Sequence, residues 1–226
     1  MAGVVRGIAT ELDSIVRSVD GTAMCHSSDL RRFNENTEVM YRMKNTDKKI
    51  LVIGMGNVLM QDEGVGVRAV EELENRYIIP STVSVVDGGT TGMELFDPIR
   101  HCDQLIVADA INTGAAYGTL VRITNDEIPA FFQTKLSNHQ LGLSDLLALL
   151  TLKGEVPEHV AIIGMVPHSL ENKLGLTAEA EAGLDAMVKM LVEELAALGI
   201  TLQLRAEQRI GHWKKEAELE ATALCV

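Results

Sequence analysis

Three residues that could bind a divalent metal each adjoin an apolar segment of the chain. Glu63 lies in the glycine-rich loop after the apolar run 50–53, Asp109 follows the apolar run 105–108, and His139 precedes a leucine-rich helical pattern. Two carboxylates and an imidazole form an O/O/N ligand set that suits a divalent first-row metal and leaves coordination positions open. Each residue also has a structural reading, as a first-turn helix acid, a turn residue and a solvent-facing helix residue respectively. Spacing alone does not choose between the two readings.

The loop that carries Glu63 reads GMGNVLMQDEGVG over residues 54–66. A glycine-rich turn after a buried strand is typical of a phosphate site, but this one departs from the known patterns. The dinucleotide pattern GxGxxG needs glycine at the position of Leu59, and no GK[ST] sequence follows. A phosphate would also face the carboxylates of Asp62 and Glu63. Carboxylates in this position fit a metal site or a proton-transfer site better than a nucleotide site.

A second candidate is the sequence Asp87-Gly88-Gly89-Thr90, which follows the apolar run 83–86. It could present a carboxylate and backbone N–H groups at the end of a strand, or it could be a simple strand-exit turn. Other catalytic signatures are missing from the sequence. No serine lies in a GxSxG elbow and no histidine pair has the HExxH spacing, which disfavours a serine hydrolase and a zincin-type metalloprotease.

The elements that must position these residues alternate along the chain. Apolar runs predict strands at 50–55, 83–86, 105–108, 119–123, 160–166 and 201–204, and helical periodicity predicts helices over 67–77, 93–96, 140–151 and 177–199. This alternation predicts an α/β fold with a largely parallel sheet covered on both faces. In such folds functional groups gather outside the carboxyl ends of the strands. We therefore expect Glu63, Asp109 and His139 to meet at one edge of the sheet.

Composition limits the domain organisation and the partners. The 226 residues suit one domain at 49–204, with an N-terminal extension at 1–48, partly helical or disordered, and a charged tail at 205–226. A net charge of −12 without a basic stripe disfavours nucleic acid and anionic membranes as partners. No apolar stretch reaches the roughly 18 residues that predict a membrane span. The three cysteines are widely spaced and are expected to be reduced, which favours a cytoplasmic location.

Five stretches of the chain carry a more specific signal. They read ILVIGMGNVLMQDEGVGVRAVEELE, VVDGGTTGMEL, LIVADAI, SNHQLGLSDLLALL and GMVPHSLENKLGLT. With these stretches the chain, from about residue 50 to 198, resembles the maturation endopeptidases of nickel–iron hydrogenases. The resemblance implies a three-layer α/β/α sandwich with a mostly parallel, twisted sheet. It also implies an activity, the removal of a C-terminal extension from the hydrogenase large-subunit precursor after nickel has been inserted.

The resemblance also implies roles for individual residues. Glu63, Asp109 and His139 match the family's metal-binding site, which is thought to sense nickel, or another divalent metal, carried by the precursor. Asp87 matches a residue proposed for catalysis or substrate handling together with Gly88, Gly89 and Thr90, and Asp109 is a second candidate catalytic carboxylate. The family is classified with aspartic-type peptidases, yet this sequence has no pair of DTG-like motifs. Whether the metal is catalytic or only recognised stays open, as does the alternative of a non-catalytic, metal-sensing chaperone of the precursor.

Overall fold

A five-stranded sheet forms the centre of the computed structural model, which describes residues 48–132 and 138–223, except for the side chains of 131, 132 and 138–141. Its strand order is β3-β1-β4-β6-β5, where the first four strands are parallel and β5 runs antiparallel to β6. A separate antiparallel pair is formed by β2 and β7. The strands are β1 (Ile50–Met55), β2 (Tyr77–Ile78), β3 (Val83–Gly89), β4 (Gln104–Ala110), β5 (Leu120–Thr124), β6 (His159–Met165) and β7 (Gln203–Leu204).

Helices cover both faces of this sheet. They are α1 (Val65–Arg76), α2 (Phe96–Arg100), α3 (Ile128–Phe132), α4 (Asn138–Lys153), α5 (Ala178–Ala197) and α6 (His212–Ala223), with short 3₁₀ turns at Gln61–Gly64, Met93–Leu95 and Asn125–Glu127. One apolar cluster joins the sheet to α1 and α5, and a second joins its other face to α2 and α4. The predicted three-layer α/β/α sandwich with a mostly parallel sheet is confirmed.

The central strand β4 shows how the sequence produces two cores. All seven of its residues are buried, as expected for a parallel strand that is covered on both faces. Because side chains alternate along a strand, Ile106 and Ala108 enter the cluster with α1 and α5, whereas Leu105 and Val107 enter the cluster with α4. The same alternation separates Val83 and Val85 of β3 from Val86. This alternation therefore also decides on which face of the sheet the polar side chains at the strand ends lie.

Three local predictions differ from the structure. Tyr77 does not end the first helix but forms β2, because it pairs with Leu204 of the distant strand β7. Pro98 lies inside α2 rather than ending it, since the first residues of a helix have no intrahelical acceptor for an N–H group. The segment after residue 205 is more than a charged tail, because it contains α6. The N-terminal extension, predicted to be partly helical or disordered, lies up to residue 47 outside the described residues.

The helix α5 has the ends that the sequence predicts, and a buried ion cluster ties it to the sheet. Thr177 caps its first turn by accepting a hydrogen bond from the Ala180 N–H, 3.2 Å away. Near its other end the buried Glu194 accepts hydrogen bonds from Arg122 at 2.6 and 3.1 Å and lies 2.8 Å from His159 Nε2. Burial raises the pKa of Glu194, but the hydrogen bonds and charges of His159 and Arg122 outweigh it and lower the pKa to about 2.

Within the described part of the chain, no helix has the length and apolar character needed to cross a membrane.

Candidate functional site

The two aspartates predicted for catalysis lie at the carboxyl end of the sheet. In the register of the parallel strands, Asp87 of β3 lies opposite Gly54 of β1, and Gly54 lies opposite Ala108 of β4. Asp109 is the next residue of β4. With about 4.8 Å between neighbouring strands, the Cα atoms of Asp87 and Asp109 are separated by two strand spacings, or about 10 Å. The edge predicted from the strand pattern therefore holds both residues.

These two carboxylates leave the sheet on opposite faces. Asp109 has the parity of Leu105 and Val107, which pack in the cluster with α4. Asp87 has the parity of Val83 and Val85, which pack in the cluster with α1, and it accepts a hydrogen bond from α6, which contacts α1. Strand β1 lies between β3 and β4 in the sheet, so the two carboxylates do not form a side-by-side pair.

Gly88, the residue after Asp87, forms a β-bulge in β3. The register shifts there, so that Met55 lies opposite Gly89 while Gly54 lies opposite Asp87. A Cβ atom on Gly88 would lie 2.6 Å from the Ile53 side chain and 3.0 Å from the sulfur of Met55, so a larger residue would not fit. A bulge of this kind re-aims the neighbouring side chains. The Asp87-Gly88-Gly89 segment is thus a strand end shaped by close packing, and its predicted substrate-binding role, with the exposed Thr90, stays a prediction.

Glu63 reaches the same edge through the glycine-rich loop. Gly56 has φ +123°, and a Cβ atom there would lie 1.7 Å from the carbonyl oxygen of Glu63, so the loop closes on itself only with glycine. Gly66, in the first turn of α1, rests on the main-chain carbonyls of Met55 and Ala108. The 3₁₀ turn that bears Glu63 also contacts β4, the strand that contains Asp109. These glycines serve close packing of the backbone rather than a phosphate.

Asp109 is a buried carboxylate. Its side chain is almost fully buried, and strand alternation places it on the face of β4 that α4 covers. One oxygen, Oδ1, accepts a hydrogen bond of 2.7 Å from the N–H of Ala110. A buried carboxylate is stabilised by hydrogen bonds, by a cation or by a proton. Asp109 can therefore act as a metal ligand or as a proton acceptor.

His139 is placed by its helix alone. It is the second residue of α4, and its side chain is outside the described part of the structure. A Cβ atom on Gly142, three residues later, would lie 3.6 Å from the Cα of Gly92 in the loop after β3. The beginning of α4 therefore lies at the carboxyl edge, on the helical layer that packs against the Asp109 face. Among the side chains that are described, no three His, Cys, Asp or Glu residues are grouped closely enough to hold a metal, so the Glu63, Asp109 and His139 set stays a prediction.

Asp62, the other acid of the loop, has a structural role that the sequence did not reveal. Its fully buried carboxylate accepts hydrogen bonds from the backbone N–H groups of His168 at 3.0 Å, Ser169 at 3.1 Å and Thr177 at 2.8 Å. The Thr177 hydroxyl donates a further one, at 2.8 Å. Asp62 thus anchors the loop between β6 and α5. Its donors are 106 to 115 residues away along the chain, so no local pattern marks this role.

Comparisons with known proteins identify a family for this chain. The model of the HycI hydrogenase maturation protease family matches residues 67–194. The hydrogenase 2 maturation protease of Escherichia coli is 44% identical over 153 residues, which cover 67% of this chain and 93% of that protein.

Two solved structures extend the agreement to the fold. The hydrogenase maturating endopeptidase HybD of E. coli superimposes with a TM-score of 0.68 at 43% identity, over 70% of this chain and 98% of its own. The [NiFe] hydrogenase maturation protease HybD of Thermococcus kodakarensis gives a TM-score of 0.56 at 26% identity, over 66% and 99% respectively. The family match ends at residue 194 and thus before α6.

Proposed function

The chain belongs to the hydrogenase maturation protease family, and we propose that it removes the C-terminal extension of a nickel–iron hydrogenase large-subunit precursor after nickel insertion. In this proposal nickel is cargo of the precursor and serves as the signal that permits cleavage. The partner is the precursor itself, and the reaction takes place in the cytoplasm. Neither nucleic acid nor a membrane takes part, in keeping with the net charge of −12.

The observation that carries this proposal is the position of Asp109 at the carboxyl end of β4, against which the 3₁₀ turn that bears Glu63 packs. The start of α4, which contains His139, lies at the same end of the sheet, near Gly92. Carboxylate oxygens and an imidazole nitrogen suit a divalent first-row metal. Asp109 is buried and Glu63 is half-buried, so both carboxylates gain from the approach of a cation. We assign Glu63, Asp109 and His139 to recognition of the precursor's metal.

Cleavage itself requires that a water attack the scissile carbonyl while a base accepts the water's proton. The proton then passes to the nitrogen of the departing peptide as the C–N bond breaks. Asp87 and Asp109 lie about 10 Å apart, at two strand spacings, and on opposite faces. A shared-proton dyad of the aspartic-protease kind needs carboxylates in contact, so the proposal assigns the two residues different tasks. Asp87 is the general base, and Asp109 engages the nickel-bearing part of the precursor.

A processing assay tests the proposal. Nickel-loaded and nickel-free precursor are each incubated with the protein, and the new C-terminus is read by mass spectrometry. We expect loss of the C-terminal peptide from the nickel-loaded form only. Cleavage of both forms would refute the nickel signal, whereas tight binding of a verified cognate precursor without cleavage would favour the metal-sensing chaperone.

The assay separates recognition from proton transfer when it is run with two variants. Asp87→Asn should retain binding of the nickel-loaded precursor and lose cleavage, because only the base is removed. Asp109→Asn should weaken binding of the nickel-loaded form more than that of the nickel-free form. If Asp87→Asn weakens binding while cleaving at the normal maximal rate, the two assignments are wrong.

A further inference from the structure

The C-terminal segment 205–223 lies outside the family match and runs back along α1. It directly follows β7, which pairs with β2, and the N–H of Arg205 donates to the carbonyl of Arg76 at 2.8 Å. Further along, Gly211 packs so closely on Glu71 that a Cβ atom would lie 2.1 Å from its carboxyl carbon. The N–H of Trp213 then donates to Glu71 Oε1 at 2.8 Å. These contacts place the start of α6 against the middle of α1.

The side chain of Trp213, the single tryptophan of the chain, is half-buried beside the glycine-rich loop. Together with Val58 and Gly64 of the loop and Leu176 before α5, it lines a small crevice. The bond from its backbone N–H to Glu71 fixes the start of α6 on α1, so the indole extends from an anchored position.

The indole N–H of Trp213 donates to Asp87. The distance from Trp213 Nε1 to Asp87 Oδ2 is 3.0 Å, and the other oxygen, Oδ1, accepts from the N–H of Gly89, also at 3.0 Å. Each carboxylate oxygen thus has one donor, and the two donors come from different elements. An exposed aspartate with one donor can rotate about its side-chain bonds, whereas donors on both oxygens restrict the plane of the carboxylate.

We propose that Trp213 is a positioning residue, which holds the Asp87 carboxylate in the orientation needed to accept the proton of the attacking water. The inference rests on the proposed function, because it takes Asp87 as the base. A base that is misaligned in the enzyme–substrate complex reduces the chemical rate and leaves substrate binding unchanged. The tail beyond the shared family core would then supply a residue on which catalysis depends.

Two replacements of Trp213 in the full-length protein test this role. Trp213→Phe keeps an aromatic ring and removes the N–H, and replacement of Trp213 with benzothienylalanine keeps the bicyclic shape and puts sulfur in place of the N–H. We expect both to lower kcat for the nickel-loaded precursor about tenfold with an unchanged KM, as for one lost orienting contact. Leu219→Ala, an exposed change in the same helix, should leave kcat unchanged.

Tryptophan fluorescence reports the contact without any catalysis. Because Trp213 is the only tryptophan, Asp87→Ala should shift the emission maximum and alter quenching by acrylamide, and Asp97→Ala, another exposed acid, should do neither. Unchanged emission in Asp87→Ala would overturn the contact. An unchanged kcat in the isosteric variant would overturn the positioning role.

These outcomes are distinct from failure of the proposed function. If the wild-type protein does not cleave a verified cognate precursor, the peptidase assignment and the role of Trp213 fall together, and the emission comparison still decides whether the contact exists. If the wild-type protein cleaves normally and both variants raise KM at constant kcat, Trp213 contributes to binding and the positioning role is wrong.

Discussion

Removal of the Asp62 carboxylate should destabilise the protein, although Asp62 is not one of the proposed site residues. In Asp62→Ala three partly buried N–H groups lose their acceptor, those of His168, Ser169 and Thr177. An unsatisfied donor costs about 1–3 kcal/mol when it is fully buried. Water that enters the vacated space relieves part of this cost, so we expect about 3–5 kcal/mol, near the lower half of the roughly 3–9 kcal/mol sum. Asp62→Asn keeps the shape of the side chain and one acceptor oxygen, so its loss of stability should be roughly half that of Asp62→Ala.

Urea unfolding followed by circular dichroism measures this loss, with Glu220→Gln as the matched control. Glu220 is an exposed acid of α6, and its substitution should change stability by less than about 0.5 kcal/mol. For a chain of this size, the loss in Asp62→Ala corresponds to a fall in Tm of about 6–20 °C.

Hydrogen exchange adds a local test of the same change. The amides of His168, Ser169 and Thr177 should exchange faster in Asp62→Ala than those of β4, because the loop loses its anchor while the central strand does not. If the unfolding midpoint of Asp62→Ala equals that of the control, the carboxylate does not hold the loop and our account of Asp62 is wrong.

The remaining predictions concern the site, the ion cluster and the packing of the glycine-rich loop. Asp109→Asn should abolish processing of the nickel-loaded precursor with little change in the circular dichroism spectrum, and normal processing by this variant would contradict its role. Glu194 has a lowered pKa of about 2, against 4.5 in its ordinary state, so its stabilising effect is full above pH 4.5 and is lost as the pH falls toward 2. Because its partner Arg122 is half exposed, we expect this carboxylate to contribute only about 1–3 kcal/mol to the free energy of unfolding. Glu194→Gln should therefore flatten the dependence of stability on pH between pH 4.5 and 2, and an unchanged dependence would refute this account. Gly66→Ala should cost about 1–3 kcal/mol, since a Cβ atom would lie 2.2 Å from a main-chain carbonyl oxygen, whereas Gly92→Ala meets nothing within 4 Å and should be neutral in a thermal melt; equal melting temperatures would show that the backbone yields.

The layers of the sandwich and the mostly parallel direction of its strands follow from local patterns that the sequence displays. Apolar runs such as 50–53 and 105–108 mark strands that are covered on both faces, and the helix periodicities between them require parallel crossovers. The carboxyl-edge rule then brings Glu63 and Asp109 together without any distance information. The ends of α5 were also readable, because a cap at Thr177 and a left-handed glycine at Gly199 act within a few residues.

The faces of the sheet and the partners of single side chains depended on the tertiary structure. The register of the strands and the alternation of their side chains put Asp87 and Asp109 on opposite faces, and a register shift of one residue would have reversed that result. Asp62 and Asp87 each receive donors more than one hundred residues away in the chain. Such contacts leave no local pattern, because they are selected by the fold and not by the neighbouring sequence. The sequence by itself therefore determined which residues stand at the carboxyl edge of the sheet, and only the folded chain decided on which face each of them lies and which of them, such as Asp62, hold the structure together.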